Sequence, residues 1–257
     1  MNEHIVIITG ASLLSPSIVA AIPATSIVLG VDSGLDAALS AGLRPSGLIG
    51  DLDSVSDDGL AWAEAHATIA RHPADKTQTD TELALAFAAG MRPERLTMIG
   101  GGDRLDHTIA AIGALAARHL TGVPILDCWW NGQHLDVIHG PGRRELLLEP
   151  TSTLSLLAIG PKCNGVGISG VRWPLDKHRL EPVVGHGVSN EVTDADGVVP
   201  ITVSSGVLTI PIQALLAGTA SNATPGQITT LNPSLLGVTC SNLNPVTGTD
   251  DEGDDAL

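Results

Sequence analysis

The chain predicts an α/β front followed by an antiparallel β back, and three observations carry that reading. Up to about residue 131, short apolar runs alternate with alanine-rich helical patterns, the rhythm of βα units around a mostly parallel sheet. Beyond Asn131-Gly132, short alternating or β-branched runs punctuated by Gly and Pro take over, as in a sandwich or barrel. Acidic clusters recur where the front-half strands hand over to helices, the end of a parallel sheet at which ligands bind.

In chain order, the front half offers strands at Ile5–Thr9, Ser26–Gly30, Gly47–Gly50, Thr68–Arg71, Arg95–Ile99 and Val123–Leu126. Helical patterns fall between them at Leu35–Ala41, Asp58–Ala65, Thr79–Ala89 and Asp106–His119. The back half offers strands at Leu135–Ile138, Arg144–Leu148, Thr153–Ile159, Val198–Val203 and Val207–Ile212. From about Ala214 the chain is rich in Ser, Thr, Asn and Gly, lacks Lys and Arg, and closes on Asp250–Asp255, the composition of a flexible acidic tail. The expected division is therefore 1–131, 132–213 and a tail at 214–257.

A formal charge of -15, from 28 acidic against 13 basic side chains, argues against a nucleic-acid partner. It is compatible with a metal-bridged phosphate substrate or an organic cation. Cys128, Cys163 and Cys240 are far apart and show no metal-ligand spacing, which fits a reduced cytoplasmic compartment. Met1–His4 lacks the basic region of a signal peptide, and no apolar stretch is long enough to span a bilayer.

The most informative run is Gly50-Asp51-Leu52-Asp53-Ser54-Val55. On a strand ending near Ile49, Asp51 and Asp53 share a face, because strand side chains alternate. Anions held that close repel unless a cation or a shared proton lies between them, and oxygen-only ligands favour Mg2+ with a substrate phosphate. Paired aspartates in a turn are also ordinary solvated caps. Three further clusters accompany them: Asp32-Ser33-Gly34 with Asp36, Asp75-Lys76 with Thr79-Asp80, and Gly100-Gly101-Gly102-Asp103-Arg104-Leu105-Asp106-His107. Thr79 and Glu82 have the spacing of a capping box, which sets Asp80 in a first helical turn, where it also complements the helix dipole. The glycines can turn backbone N–H groups toward an anion, and Arg104 adds a rigid donor fork. Solvated caps would have no reason to gather at successive strand ends.

Gly165-Val166-Gly167-Ile168-Ser169-Gly170 matches GxGxxG, but it runs into Val171-Arg172-Trp173-Pro174, where no helix can start, so a dinucleotide site is rejected. No GxxxxGK[ST] run occurs, and the acceptor-like Asn222-Ala223-Thr224 has no secretory context. Trp173, beside a proline, reads either as an aromatic platform for a flat or cationic ligand or as core. Ser189-Asn190 offers polar groups in what is otherwise a turn.

Taken together, these residues resemble the thiamine pyrophosphokinase family. Its pattern is met in order by Asp32-Ser33-Gly34 with Asp36, Gly50–Val55, Asp75 with Thr79-Asp80, Gly101-Gly102 with Arg104-Leu105-Asp106-His107, Gly170–Leu175 and Ser189-Asn190. The likeness extends to about residue 212 and does not take in the tail. Val31 and Ser33 replace the usual Ala and Gly, and Asp103 stands where Gly is common.

The resemblance implies a Rossmann-like catalytic domain, a β-sandwich that binds thiamine, and a homodimer with sites between subunits. It implies transfer of the diphosphoryl group of ATP to thiamine, giving thiamine diphosphate and AMP. Asp51, Asp53 and Asp80 would then bind Mg2+, and with Asp106 form the catalytic group. Asp32, Ser33, Gly34, Asp75, Lys76, Gly101, Gly102, Arg104 and His107 would meet ATP, and Trp173, Ser189 and Asn190 the vitamin. The rival readings are a diphosphokinase for another hydroxymethyl heterocycle such as a pterin, and a non-catalytic nucleotide- or metal-binding protein.

Overall fold

The computed structural model describes residues 4–12 and 14–213. Its front half alternates strand and helix: β1 (His4–Ile8), α1 (Pro16–Ala20), β2 (Ile27–Val31), α2 (Gly34–Ser40), β3 (Gly47–Gly50) and α3 (Asp57–His66), then β4 (Thr68–Arg71), α4 (Asp80–Gly90), β5 (Arg95–Gly100), α5 (Leu105–Ala114) and β6 (Ile125–Trp130). The strands are parallel and order as β4-β3-β2-β1-β5-β6. Ile5, Val6, Ile7 and Ile8 are all wholly buried, as a continuous apolar strand covered on both faces should be.

Helix starts follow the local chemistry. Ser56 caps α3 by accepting from the Gly59 N–H. Thr79 and Glu82 form the expected capping box on α4, so Asp80 does sit in its first turn. Two departures occur here. The short α1, capped by Ser15 with Pro16 at its first position, was not anticipated. The last helix expected, Asp106–His119, stops at Ala114, and only a 3-10 turn at Arg118–Leu120 follows, because Ala117 is extended.

The back half comprises β7 (Gln133–His139), β8 (Gly142–Leu147), β9 (Thr153–Ile168), β10 (Leu175–Leu180), β11 (Gly187–Glu191), β12 (Val198–Val203) and β13 (Ser205–Gln213). Its pairings are antiparallel. β7 folds back on β6 through the tight Asn131-Gly132 turn, so hydrogen bonding runs from one half into the other. The 16-residue β9 holds the sandwich together: its first part pairs with β13 and β11, its last part with β10 and β12. The sequence pattern ended this strand at Ile159, because Gly160 and Pro161 read as a break. The strand bends there and continues through the rejected GxGxxG run, where no helix follows. Leu154, Leu156, Val166, Val199, Ile201, Leu208 and Ile210 fill the sandwich core. β10 and β11 are not among the strands that the sequence pattern offers, since the charges of Asp176, Lys177 and Arg179 hide β10 and polar Ser189-Asn190 reads as a turn in β11.

A buried polar seam marks the junction. Asp127 and Asp136 face each other across β6 and β7, with His134 within 3.7 Å of one and 3.8 Å of the other. Arg95 and Thr97 also bond Asp127, and Arg144 lies 3.2 Å from Asp136. Burial opposes ionisation of Asp127, but His134, Arg95 and Thr97 outweigh it and hold the carboxyl below the ordinary range. Burial wins at Asp136, whose carboxyl is pushed up despite His134 and Arg144. Among the described residues no helix is long and apolar enough to cross a membrane. The tail at 214–257, with Cys240 and Asn222, lies outside the described residues.

Candidate active site

Strand β1 has β2 on one side and β5 on the other, so the chain reverses its winding there. At such a switch point the loops beyond the strand ends diverge and leave a crevice. A cleft of about 500 Å³ opens at this place, a size suited to a small-molecule ligand.

The floor of the cleft is acidic. Oxygens of Asp32, Asp51 and Asp80 lie within 4.8 Å of one another. Asp32 follows β2 at a φ of 45°, and its Oδ1 accepts from the Leu52 N–H at 3.1 Å. That approach requires Gly50, where φ is 147° and a Cβ would stand 1.8 Å from Asp32 Oδ1. Lys76 bridges the other two carboxylates, 3.0 Å from Asp51 and 3.0 Å from Asp80.

Electrostatics separates the three groups. Burial pushes the Asp32 carboxyl up to about 6; Asp80, Asp51 and Asp53 add to this, and the Leu52 N–H opposes it. The hydrogen bond from Lys76 holds the Asp51 carboxyl below its ordinary range. Burial disfavours the Lys76 ammonium, but its bonds to Asp51 and Asp80 prevail and hold its pKa above the usual value. Asp80 Oδ1 is buried without a hydrogen-bond partner. An orphaned carboxylate oxygen beside two more carboxylates, with oxygen donors only, is a donor set that fits a hard divalent cation.

Other sequence-derived residues fall on both sides of this boundary. Ser33, Asp53, Gly101, Gly102, Arg104 and His107 line the cleft with Asp32, Asp51 and Asp80. Asp53 is exposed, and its side chain stands outside the three-carboxylate group. Asp106 does not line the cleft: it pairs with Arg104 at 2.6 Å and is 67% exposed. Gly34 is buried inside α2, and Asp75 is exposed on the loop before α4. Asp36 has a structural task, bonding the Ser56 N–H at 2.9 Å and so tying α2 to the start of α3.

Trp173, Ser189 and Asn190 lie in the sandwich and do not line this cleft. Asn190 is buried, and its amide is spent internally: Oδ1 accepts from the Trp173 and Glu191 N–H groups, and Nδ2 donates to the Trp173 carbonyl at 2.8 Å. It thereby holds an indole that is 55% exposed, with the Arg172 guanidinium 4.9 Å from the ring centre. The Ser189 N–H donates to Ser155 Oγ.

The sequence reading missed Thr9, Gly10 and Ala11 after β1, and Trp130 at the end of β6, all in the cleft wall. The signal for the first three was available, since β1 is central in any sheet that reverses its winding around it.

These features define an α/β protein with an acidic switch-point cleft and an appended antiparallel sandwich. A family model described as "Thiamin pyrophosphokinase, catalytic domain" matches residues 20–126, and one described as "Thiamin pyrophosphokinase, vitamin B1 binding domain" matches 143–208. The chain belongs to the thiamin pyrophosphokinase family. A third model, a Baseplate J-like protein barrel domain, matches 187–249, largely beyond the described residues.

The thiamine pyrophosphokinase of Bacillus subtilis (strain 168) is 26% identical over 174 residues, 66% of this chain and 79% of that protein. A crystal structure of thiamine pyrophosphokinase from Bacillus subtilis superposes with a TM-score of 0.66 at 22% identity, covering 83% of this chain and 100% of the other. Thiamin pyrophosphokinase from Candida albicans gives 0.66 at 13% identity, over 82% and 88%. At these identities the superpositions speak for the fold.

Proposed function

We propose that the protein is a thiamine diphosphokinase, forming thiamine diphosphate and AMP from thiamine and ATP. The observation that carries this reading is the convergence of Asp32, Asp51 and Asp80 on the switch-point cleft of a chain that matches both domain models of the family. The segment 1–131 is read as the ATP- and metal-binding catalytic part, and 132–213 as the thiamine-binding part.

In this reading the primary hydroxyl of thiamine attacks the β-phosphorus of ATP and gives its proton to a cleft carboxylate; the new O–P bond forms as the bond to the α-phosphate oxygen breaks and AMP leaves. The protein's task is to position the reactants and neutralise charge. Asp32, Asp51 and Asp80 would hold Mg2+, with Asp53 reaching it through water. When bound, Mg2+ supplies charge neutralisation on the phosphates. Lys76 draws Asp51 and Asp80 together and would offer its ammonium to the phosphates, Arg104 and the glycine loop would meet them at the rim, and the acidic surroundings favour a cationic thiazolium.

Trp173 supplies a flat face for the vitamin, fixed in place by Asn190. Since that indole does not line its own chain's cleft, we further propose a homodimer in which one subunit's Trp173 approaches its partner's carboxylates. Cytoplasmic residence is supported by the free buried thiols of Cys128 and Cys163.

Nucleotide product analysis with ATP, Mg2+ and thiamine tests the reading. Thiamine-dependent AMP matched by thiamine diphosphate is the expected result. ADP in place of AMP, or no turnover by folded, metal-replete protein, would overturn it.

A further inference from the structure

Beyond the carboxylates, one side chain in the turn between the two halves reaches back to the glycine loop that walls the cleft. Asn131 was legible only as the point where the pattern changes character. In the structure its Oδ1 accepts from the Gly102 N–H at 2.8 Å and its Nδ2 donates to the Gly102 carbonyl at 3.2 Å. Its own N–H donates to the Gly100 carbonyl at 3.1 Å. One residue of the β6–β7 turn therefore grips both ends of the loop that walls the cleft.

Packing reinforces the grip. A Cβ on Gly101 would stand 2.4 Å from Asn131 Oδ1 and 2.9 Å from the Ala11 carbonyl. A Cβ on Gly100 would stand 2.4 Å from the Trp130 ring. The absence of side chains at these glycines is thus required by the hairpin behind them as well as by access from the cleft. Asn131 holds a φ of 49°, a conformation that asparagine tolerates better than most residues, so the turn aims the amide at the loop at little cost.

We propose that Asn131 is a positioning residue for the nucleotide: it holds the Gly100–Gly102 loop in the shape that receives the phosphates of ATP. The inference rests on the reading of the cleft as the ATP site. A loop of three glycines loses much conformational freedom when it orders around an anion, and a loop ordered beforehand does not lose it again on binding. Asn131 acts on the ground-state complex, so its removal falls on nucleotide affinity more than on the chemical step. A residue that merely closed a hairpin would affect ATP and thiamine alike.

Asn131→Gly isolates the amide, because glycine keeps the left-handed backbone without strain; Asn131→Ala adds the strain as a control. For Asn131→Gly, KM for MgATP should rise roughly tenfold, with a matching loss of affinity for a nonhydrolysable MgATP analogue by calorimetry. KM for thiamine should stay near its starting value, kcat should fall much less than the ATP term, and Gly102 amide exchange in the free protein should quicken. Unchanged nucleotide affinity in a folded variant would overturn the proposal, as would equal losses toward ATP and thiamine. If the unaltered protein binds no nucleotide, the assignment of the cleft itself falls, which separates that failure from failure of Asn131 alone.

Discussion

The acidic cleft and the Trp173 corner use polar groups in opposite ways. In the cleft three carboxylates crowd together, Lys76 is shared between two of them, and Asp80 Oδ1 has no partner. At the corner Asn190 satisfies donor and acceptor on the backbone of Trp173, and the indole face stands open. The first region holds unspent electrostatic capacity, which a cation and phosphates can take up. The second has spent its polar groups on shaping an apolar surface. Substitutions in the cleft should therefore act on chemistry, and those in the corner on shape and stability.

The sharpest test sets Asp51→Asn against Asp106→Asn. Asp51→Asn removes charge from the centre of the cluster and should lower kcat at least about a hundredfold with little loss of thermal stability. Asp106→Asn, outside the cleft, should cost about tenfold or less, by releasing Arg104. Equal losses in steady-state assays would return Asp106 to the reacting centre.

Next in size is the seam between the regions. Asp127→Ala leaves the Arg95 guanidinium without its buried counter-charge and the Thr97 hydroxyl without its acceptor, and unfolding in denaturant should show a loss of about 3 kcal/mol. A loss confined to one half, read by separate tryptophan and circular dichroism transitions, would show that the shared hydrogen bonding does not make the halves cooperative.

In the corner, Asn190→Ala strands the N–H and carbonyl of Trp173, at a cost of about 1–3 kcal/mol in stability. KM for thiamine should rise in step with that of Trp173→Ala while KM for ATP stays put. A rise in the ATP term would blur the contrast between the regions.

The smallest effect is on pH dependence. Burial holds His4 and His139 below the ordinary histidine value of 6.5; the Arg95 guanidinium adds to this at His4 with Asp127 opposing, and the bond to the Leu115 carbonyl opposes it at His139. The unfolded chain therefore takes up these protons first as pH falls. The stability they contribute is complete above 6.5 and is lost as pH drops from there through the folded values. Melting temperatures followed from pH 7.5 to pH 5 should fall less steeply in a His4→Gln, His139→Gln variant; an identical slope would assign acid sensitivity to other groups.

Much of the fold was legible because its signals are local. The parallel strands are short apolar runs, and the α4 cap is a four-residue chemistry of Thr79 and Glu82. β9 was cut short because a bend at Gly160 looks like an end to any reading that sees only neighbours in sequence. β10 and β11 were missed because edge strands need no apolar alternation. In the site, Asp32, Asp51 and Asp80 were visible as acidic residues at strand ends. The outward turn of Asp106 was not, since Arg104 two residues away offers it a partner that spacing does not reveal.

By itself the sequence determined the α/β-then-β order, the strand-end acidic clusters and the family, because periodicity, caps and motif spacing are properties of neighbouring residues. Only the tertiary structure decided which carboxylates meet, that Asn190 serves Trp173, and that Asn131 bonds the glycine loop beside the cleft. Those relations join residues that are distant along the chain, and they exist only once sheet order and register have closed the distance.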